Sequence, residues 1–360
     1  MRFHRGLSML LAAAACLGSA SCSKPGQTIQ GAGATFPAPL YKRWFLEYYM
    51  RHPDVRVNYQ PIGSGAGIRK FTDGLTTFGA SDAAMSPKEA KAFKKARGTE
   101  ALLLPVTAGS IVLCYNLSGL DKPLQLSRKA YLQIFQGEIT TWDDPVIAAC
   151  NPGVTLPAGQ AIRVVRRSDG SGTTYAFTNH LNQVAKSLKS EWKPGVGKSV
   201  VWPRRDMIGG RGNSGVAALI QQTPGAIGYL EAGYAELNHL AMAKLENKAG
   251  KFVKADLESS QAALKGVPLP PDFRIWLPDP AGEKAYPIVT YTWILAKTKY
   301  EDPKVAQRLK EVLRFCLTEG QKFSEKLGYI PLPPDIANEV LRAVERINAE
   351  ESRNALALPR

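Results

Sequence analysis

The chain carries near its middle the segment Arg166-Arg167-Ser168-Asp169-Gly170-Ser171-Gly172-Thr173-Thr174. The residues just before it, 161–165, are mostly β-branched and apolar, which predicts a buried strand. After it, apolar residues recur at helical spacing, at Phe177, Leu181, Val184 and Leu188. The segment is therefore predicted to join a strand to a helix through a glycine-rich turn.

Such a junction is suited to holding an anion. The first N–H groups of a helix have no partner within it, and the helix dipole adds positive potential at the same place. Gly170 and Gly172 let a ligand approach the backbone, and Ser171 and Thr173 add hydroxyls. Arg167 adds a planar fork that matches an oxyanion. The alternative is that the turn only caps a helix.

The chain also contains a sequence that superficially resembles a nucleotide-binding loop. Residues 195–199 read Gly-Val-Gly-Lys-Ser, but Trp192 stands where the first glycine of a Walker A motif is required. Residues 200–202, Val-Val-Trp, are predicted to be a strand rather than the start of a helix. We therefore reject a nucleotide site here.

Three more strand-to-turn edges precede the central segment. Thr35 follows Gly31-Ala-Gly-Ala, Ser64 lies in Gly63-Ser-Gly after a predicted strand, and Asp82 ends the segment Thr77–Asp82. Each has a structural alternative: Thr35 and Ser64 as helix caps and Asp82 as a turn residue. Because open α/β sheets bind ligands at the carboxyl ends of their strands, we predict that these edges assemble one site.

The later part of the chain shows fewer chemical signals. A third glycine-rich loop, residues 209–215, is predicted to be structural, and residues 247–284 are predicted to be exposed and irregular. Residues 288–295 predict a strong strand, and two helices are predicted around 303–318 and 334–350.

Composition narrows the classes of function. The 360 residues suffice for two domains, and the formal net charge is +15. No basic-aromatic motif for nucleic acid accompanies that charge. The four histidines are isolated, so no zinc site is predicted, and no cofactor is expected. Cys114 and Cys316 are predicted to be buried thiols, and a Cys114–Cys150 disulfide is left open.

The N-terminus has the features of an export signal. Arg2 and Arg5 precede a short apolar stretch, and Ser19-Ala-Ser-Cys22 resembles a lipoprotein cleavage site. We predict a signal peptide over residues 1–21, a lipid anchor at Cys22 and a tether over residues 22–28. The protein is then exported to the periplasm or cell envelope.

Several long motifs together carry a resemblance to a known family. They are residues 31–39, 63–65, 78–82, 165–173, 209–213 and 224–229. In this order they resemble the phosphate-binding proteins of the high-affinity phosphate ABC transporters. The usual pattern has an acidic residue where this chain has Thr77, and lacks cysteines at positions 114, 150 and 316.

The resemblance implies a fold and a function. The fold is α/β, a two-lobed periplasmic-binding-protein fold of type II-like form, with hinge strands and a ligand cleft. Residues 29–105 plus 285–360 would form lobe 1, and residues 106–284 lobe 2, with crossings near 104–106 and 286–288. The protein would be a monomer that binds phosphate and delivers it to membrane permease subunits.

The resemblance also implies the ligand contacts. Hydroxyl and amide donors would come from Thr35, Phe36, Ser64, Ser171, Gly172 and Thr173. Arg167 would supply its guanidinium, oriented by Asp169, and Asp82 would accept a proton of the bound phosphate. Sulfate has no such proton and would be repelled by a charged Asp82.

Three other functions are weighed against this one. An enzyme acting on phosphate esters would need metal carboxylates or a nucleophile with a base, and residues 169–173 do not match the Gly-x-Ser-x-Gly elbow. A receptor for sulfate or molybdate is disfavoured by Asp82. Nucleic-acid binding is suggested by the charge alone.

Overall fold

The structure is a computed structural model that describes residues 27–349. The predicted signal peptide, the lipid anchor at Cys22 and most of the tether lie outside these residues. The described part is an α/β fold, as expected.

The strands are β1 Gln27–Gly33, β2 Val55–Pro61, β3 Phe78–Ser81, β4 Ala101–Tyr115, β5 Gln125–Leu126, β6 Arg163–Arg167, β7 Ile208–Gly210, β8 Ala226–Glu231, β9 Ala241–Met242, β10 Lys244–Glu246, β11 Phe252–Val253, β12 Val289–Lys297, β13 Lys299–Tyr300, β14 Tyr329–Ile330 and β15 Asn348–Ala349.

The α-helices are α1 Ala38–Arg51, α2 Ser64–Thr72, α3 Pro87–Arg97, α4 Arg128–Gln136, α5 Pro145–Ala149, α6 Gly172–Ser187, α7 Gly212–Gln222, α8 Ala232–Leu237, α9 Leu257–Leu264, α10 Pro303–Leu317 and α11 Pro334–Val344. Two short 3₁₀ helices span Glu319–Phe323 and Glu325–Leu327.

One long sheet runs through the molecule in the order β2-β1-β3-β12-β4-β8-β6-β7. The strands β2, β1 and β3 are parallel to one another, and so are β8, β6 and β7. The strands β12 and β4 lie between these two trios and run antiparallel to their neighbours. We call the β2-β1-β3 trio with its helices α1 and α2 the first half, and the β8-β6-β7 trio with α6 and α7 the second half.

The strand β4 connects the two halves. Its residues 101–110 pair with β12, and its residues 111–115 pair with β8. The carboxyl ends of β3 and β8 both point to the junction between Ser110 and Ile111, from opposite sides, as the register of their partners shows. The turns after the two parallel trios therefore meet over this junction. The exact lobe boundaries stay a prediction.

Aromatic side chains hold helices against the sheet in each half. In the first half, Tyr41 and Phe45 of α1 pack in ring contact with Tyr59 of β2, which stacks on Phe78 of β3. In the second half, Phe177 of α6 stacks on Tyr229 of β8, with ring centroids 4.5 Å apart. These contacts fix α1 and α6 against the strands whose ends carry the polar turns.

Two predictions about local structure are wrong. Residues 200–202 form no strand. The region 247–284 is not simply exposed, because it contains β11 and α9, and Asn247 is fully buried. Asp279 in this region forms a buried ion pair with Arg128 of α4, at 2.8 Å. Its many Lys, Pro and Gly residues suggested a surface loop, whereas long-range polar contacts hold it in place.

The three described cysteines are free thiols, so Cys114 and Cys150 form no disulfide here. Cys114 and Cys316 are buried, as predicted, and burial raises the pKa of both thiols. Within residues 27–349, no helix is both long and apolar enough to cross a lipid bilayer.

Candidate functional site

Three turns of the first half meet at one place. Thr35 and Phe36 follow β1, Ser64 is the first residue of α2 after β2, and Asp82 follows β3 directly. All four residues are buried. They lie together because parallel neighbouring strands end at the same edge of a sheet.

The second half contributes the junction of β6 and α6. Arg167 is the last residue of β6, and Ser171 is the N-cap of α6, where its hydroxyl accepts a hydrogen bond from Thr174 N at 3.1 Å. Residues 168–171 form the turn between them. The predicted strand, glycine-rich turn and helix are confirmed, although β6 extends to Arg167, two residues further than expected.

The two halves touch through these turns. Gly65 N donates to Gly170 O at 2.9 Å, and Gly172 N donates to Ser64 Oγ at 3.1 Å. A Cβ on Gly172 would lie 2.7 Å from Asp82 N and from Ser64 Oγ, closer than any real Cβ contact. Only glycine allows the N-terminus of α6 to approach Asp82 so closely. The structure is thus closed around the site.

Arg167 is held in one orientation by Asp169. Its Nε and Nη2 donate to the two carboxylate oxygens at 2.8 and 2.6 Å, and its Nη1 donates to Thr173 Oγ1 at 3.3 Å. Burial alone would raise the pKa of Asp169, but the hydrogen bonds and charge of Arg167 hold it below the usual value. Gly212 N also donates to Asp169, at 3.0 Å. This bidentate pair fixes a buried positive charge in the site.

Asp82 is a buried carboxylate, 2% exposed, that lies against the N-terminus of α6. Its Oδ1 accepts from the Thr292 hydroxyl at 2.8 Å. Burial raises the pKa of Asp82 to about 7, against the lowering effects of the Thr292 hydrogen bond and the Arg167 charge. Near neutral pH both the protonated and the ionised forms of Asp82 are therefore populated, and the carboxyl group can either donate a hydrogen bond or accept one.

The hydroxyl of Ser64 is set to donate. Its Oγ accepts from Gly172 N at 3.1 Å and from Asp82 N at 3.3 Å, so both lone pairs face N–H groups. The hydroxyl donates its own proton to Asp82 Oδ2 at a donor–acceptor distance of 3.5 Å, the long limit of a hydrogen bond, so a nearer acceptor would compete for it. The arrangement thus combines several donors and one positive charge with a carboxyl group that can take a proton.

Two of the structural alternatives fail. Pro37, not Thr35, is the N-cap of α1, and the Thr35 hydroxyl instead accepts hydrogen bonds from Asn213. Gly63, not Ser64, is the N-cap of α2, and Ser64 makes no capping hydrogen bond there. Both side chains point away from their own helices and towards partners distant in sequence.

Sequence reasoning missed two residues that support the site. Residues 209–215, predicted as a third glycine-rich loop, form the end of β7 and the start of α7 instead, and Asn213 is the second residue of that helix. This junction contacts Thr35 and Asp169, so it is not merely a connection. Thr292 bonds Asp82 from the middle of β12. A usable signal existed for the second: Thr290 and Thr292 alternate in an otherwise apolar strand, which places both on one face.

Among residues 27–349, no three His, Cys, Asp or Glu side chains lie close enough together to hold a metal ion. The chemistry that the arrangement supports is recognition of an oxyanion through hydrogen bonds and one guanidinium.

Comparison with known proteins gives the family. A model of the PBP superfamily domain matches residues 19–319. The phosphate-binding protein PstS of Methanocaldococcus jannaschii is 40% identical over 89% of this chain and 86% of its own length. PstS of Pasteurella multocida is 37% identical over 87% of this chain and 89% of its own.

A solved structure shows the same fold. It is a high affinity periplasmic phosphate-binding protein bound with phosphate, with a TM-score of 0.73 and 23% identity. The match covers 88% of this chain and 93% of that protein. The two-lobed α/β architecture and the sequence matches agree, and the chain belongs to the PstS family of phosphate-binding proteins within the PBP superfamily.

Proposed function

We propose that this protein binds inorganic phosphate in the cleft between its two halves and delivers it to the permease of an ABC transporter. The relatives named above are phosphate-binding proteins. A further structure of this fold is described as a putative phosphate ABC transporter substrate-binding protein with bound phosphate. The proposed contacts are Thr35, Phe36, Ser64, Asp82, Arg167, Ser171, Gly172 and Thr173, with Asp169 orienting Arg167.

The observation that carries this proposal is the buried Asp82 carboxylate among hydrogen-bond donors. A buried carboxylate in an anion site repels the ligand and weakens binding unless the ligand carries a proton that the two can share. Phosphate carries at least one proton near neutral pH, whereas sulfate carries none. Phosphate can therefore donate its proton to ionised Asp82 in a charge-assisted hydrogen bond. Sulfate has no proton to donate, so the ionised carboxylate disfavours it.

We also propose that the protein is not an enzyme. Asp169 and Thr173 both bond to the guanidinium of Arg167 and do not pair with each other as base and nucleophile. In particular, the Ser171 hydroxyl caps α6. Incubation with phosphate esters and divalent metal ions should release no phosphate, and steady release would favour the enzyme alternative.

Export and anchoring complete the proposal. The sequence of residues 1–22 supports a signal peptide and a lipid anchor at Cys22, and the protein is proposed to act as a monomer at the cell envelope. Mass spectrometry of protein purified from membranes tests the anchor: an acylated N-terminal Cys22 supports it, and an unmodified cysteine contradicts it.

Retention of labelled phosphate tests the central function. Protein stripped of phosphate is dialysed against radiolabelled phosphate, with unlabelled sulfate, molybdate or phosphate as competitor. The proposal predicts one bound phosphate per chain, displaced by phosphate and not by the other two anions near pH 8. Equal competition by sulfate would make this a general oxyanion receptor, and no retention would refute phosphate binding.

A further inference from the structure

The hydroxyl oxygen of Thr35 accepts two hydrogen bonds, and both come from one residue of the opposite half, Asn213. Thr35 Oγ1 accepts from Asn213 Nδ2 at 2.9 Å and from Asn213 N at 3.2 Å. A hydroxyl has two lone pairs and one proton. Because both lone pairs face N–H groups, the proton of Thr35 is left to donate elsewhere.

The orientation of the Asn213 amide is itself fixed. Its Oδ1 accepts from Glu231 N at 3.1 Å, so the amide oxygen faces β8 and the Nδ2 group faces Thr35. Asn213 is fully buried, and so is Glu231. If the Asn213 amide were flipped, its Nδ2 group would face the backbone N–H of Glu231, and two hydrogen-bond donors would then oppose each other.

The second half also contacts the backbone of the turn that carries Thr35. The Tyr234 hydroxyl, in α8, donates to Thr35 O at 2.7 Å. Gly212, at the start of α7, lies so close that a Cβ there would be 3.2 Å from Thr35 Cγ2. Thr35 belongs to the first half, whereas α7 and α8 pack on the second. The Asn213 contacts with Thr35 therefore exist only while the two halves are closed on each other.

We propose that Asn213 is a positioning residue for phosphate recognition. When the halves close, its two N–H groups occupy both lone pairs of Thr35 Oγ1 and direct the hydroxyl proton to an unprotonated oxygen of the bound anion. This inference rests on the proposed phosphate function. It adds that the donor state of Thr35 is set by closure, so that Thr35 donates to the ligand and Asp82 takes the ligand proton.

A double-mutant cycle with Thr35 tests the role. Phosphate affinity is measured by calorimetry for the wild type, Asn213→Ala, Thr35→Val and the double variant. We expect each single change to weaken binding about tenfold or more, the cost of a hydrogen bond to a charged ligand. The double variant should bind within about twofold of Thr35→Val, because no hydroxyl remains to be oriented.

A second pair of variants separates hydroxyl orientation from packing and charge. Asn213→Asp is nearly isosteric but places a carboxylate beside Thr35. The hydroxyl of Thr35 then donates its proton to that carboxylate instead of to the ligand, so phosphate binding should weaken about 100-fold. Ser214→Asp adds the same charge to an exposed neighbour and should change affinity little. Thr35→Ser keeps a hydroxyl and should preserve the tenfold effect of Asn213→Ala.

The outcomes distinguish this inference from the function on which it rests. If the wild type binds phosphate and the Asn213→Ala effect persists fully in the Thr35→Val background, Asn213 is only structural and the inference fails. If Asn213→Ala does not fold, the Asn213→Asp and Ser214→Asp comparison decides, and equal effects overturn the inference. If the folded wild type binds no phosphate, the proposed function fails and the inference falls with it.

Discussion

Replacing the Asp82 carboxylate by an amide should change how anion choice depends on pH. Asp82 is buried, and its pKa is raised to about 7. Above that pH the ionised carboxylate repels sulfate, whereas below it the protonated carboxyl group can donate a hydrogen bond to a sulfate oxygen. Sulfate is the cleaner probe because, unlike phosphate, it does not change its own protonation between about pH 6 and pH 8.5.

The size of the effect follows from the pKa. At about pH 8.5, roughly one Asp82 in 30 carries a proton, so sulfate should bind the wild type roughly 30-fold more weakly than at pH values well below 7. That factor corresponds to about 2 kcal/mol. In the Asp82→Asn variant the amide can donate at every pH, so sulfate affinity should be independent of pH and should exceed that of the wild type at about pH 8.5.

Calorimetric titration with sulfate at constant ionic strength measures how sulfate affinity depends on pH in the wild type and in Asp82→Asn. The matched control is Asp73→Asn, which changes an exposed aspartate at the end of α2 and should keep the wild-type pH dependence. A flat sulfate affinity in the wild type between about pH 6 and pH 8.5 would refute the reasoning. So would an Asp82→Asn variant that retains the wild-type slope.

Three further predictions concern single contacts. Arg167→Lys should weaken phosphate binding about 100-fold in calorimetry, because lysine cannot bond both oxygens of Asp169. Arg166→Lys on the same strand is the control and should change phosphate affinity less than about twofold. Gly172→Ala should weaken binding at least about tenfold, since its Cβ would lie 2.7 Å from Asp82 N, while Gly170→Ala, whose Cβ would make an ordinary 3.4 Å contact, should not. In urea unfolding without anion, the stability of the wild type relative to Asp82→Asn should fall by up to about 4 kcal/mol as the pH rises from about 4 to about 7, because the folded state holds the Asp82 proton more tightly than the unfolded state. A constant difference would contradict that last prediction.

Much of the fold could be predicted because its signals are local. Helical spacing after Gly172 and the apolar run of residues 288–295 both describe elements whose burial follows directly from their own pattern. The turns that carry Thr35, Ser64 and Asp82 could be grouped because strand ends share an edge. The sequence alone could not exclude the alternative that Thr35 and Ser64 only cap helices, since a hydroxyl near a helix start is equally suited to a cap and to a distant partner.

The remainder depended on contacts far apart in sequence. Asn213 bonds Thr35 across 178 residues, and Thr292 bonds Asp82 across 210. No local pattern encodes contacts between residues so far apart in sequence. They arise because β4 changes partners between Ser110 and Ile111, so that the carboxyl ends of the two trios of strands point at each other. The polar contacts of residues 247–284 were missed for the same reason.

The central claim is that one proton lies between Asp82 and phosphate in a cleft that otherwise donates hydrogen bonds. A crystal structure of the phosphate complex at about pH 8 tests it most directly. We predict one phosphate in contact with Arg167 and the N-terminus of α6, with a phosphate oxygen about 2.5–2.7 Å from a carboxylate oxygen of Asp82, a short charge-assisted hydrogen bond. A phosphate bound elsewhere, or an Asp82 carboxylate turned away from the ligand, would contradict the account.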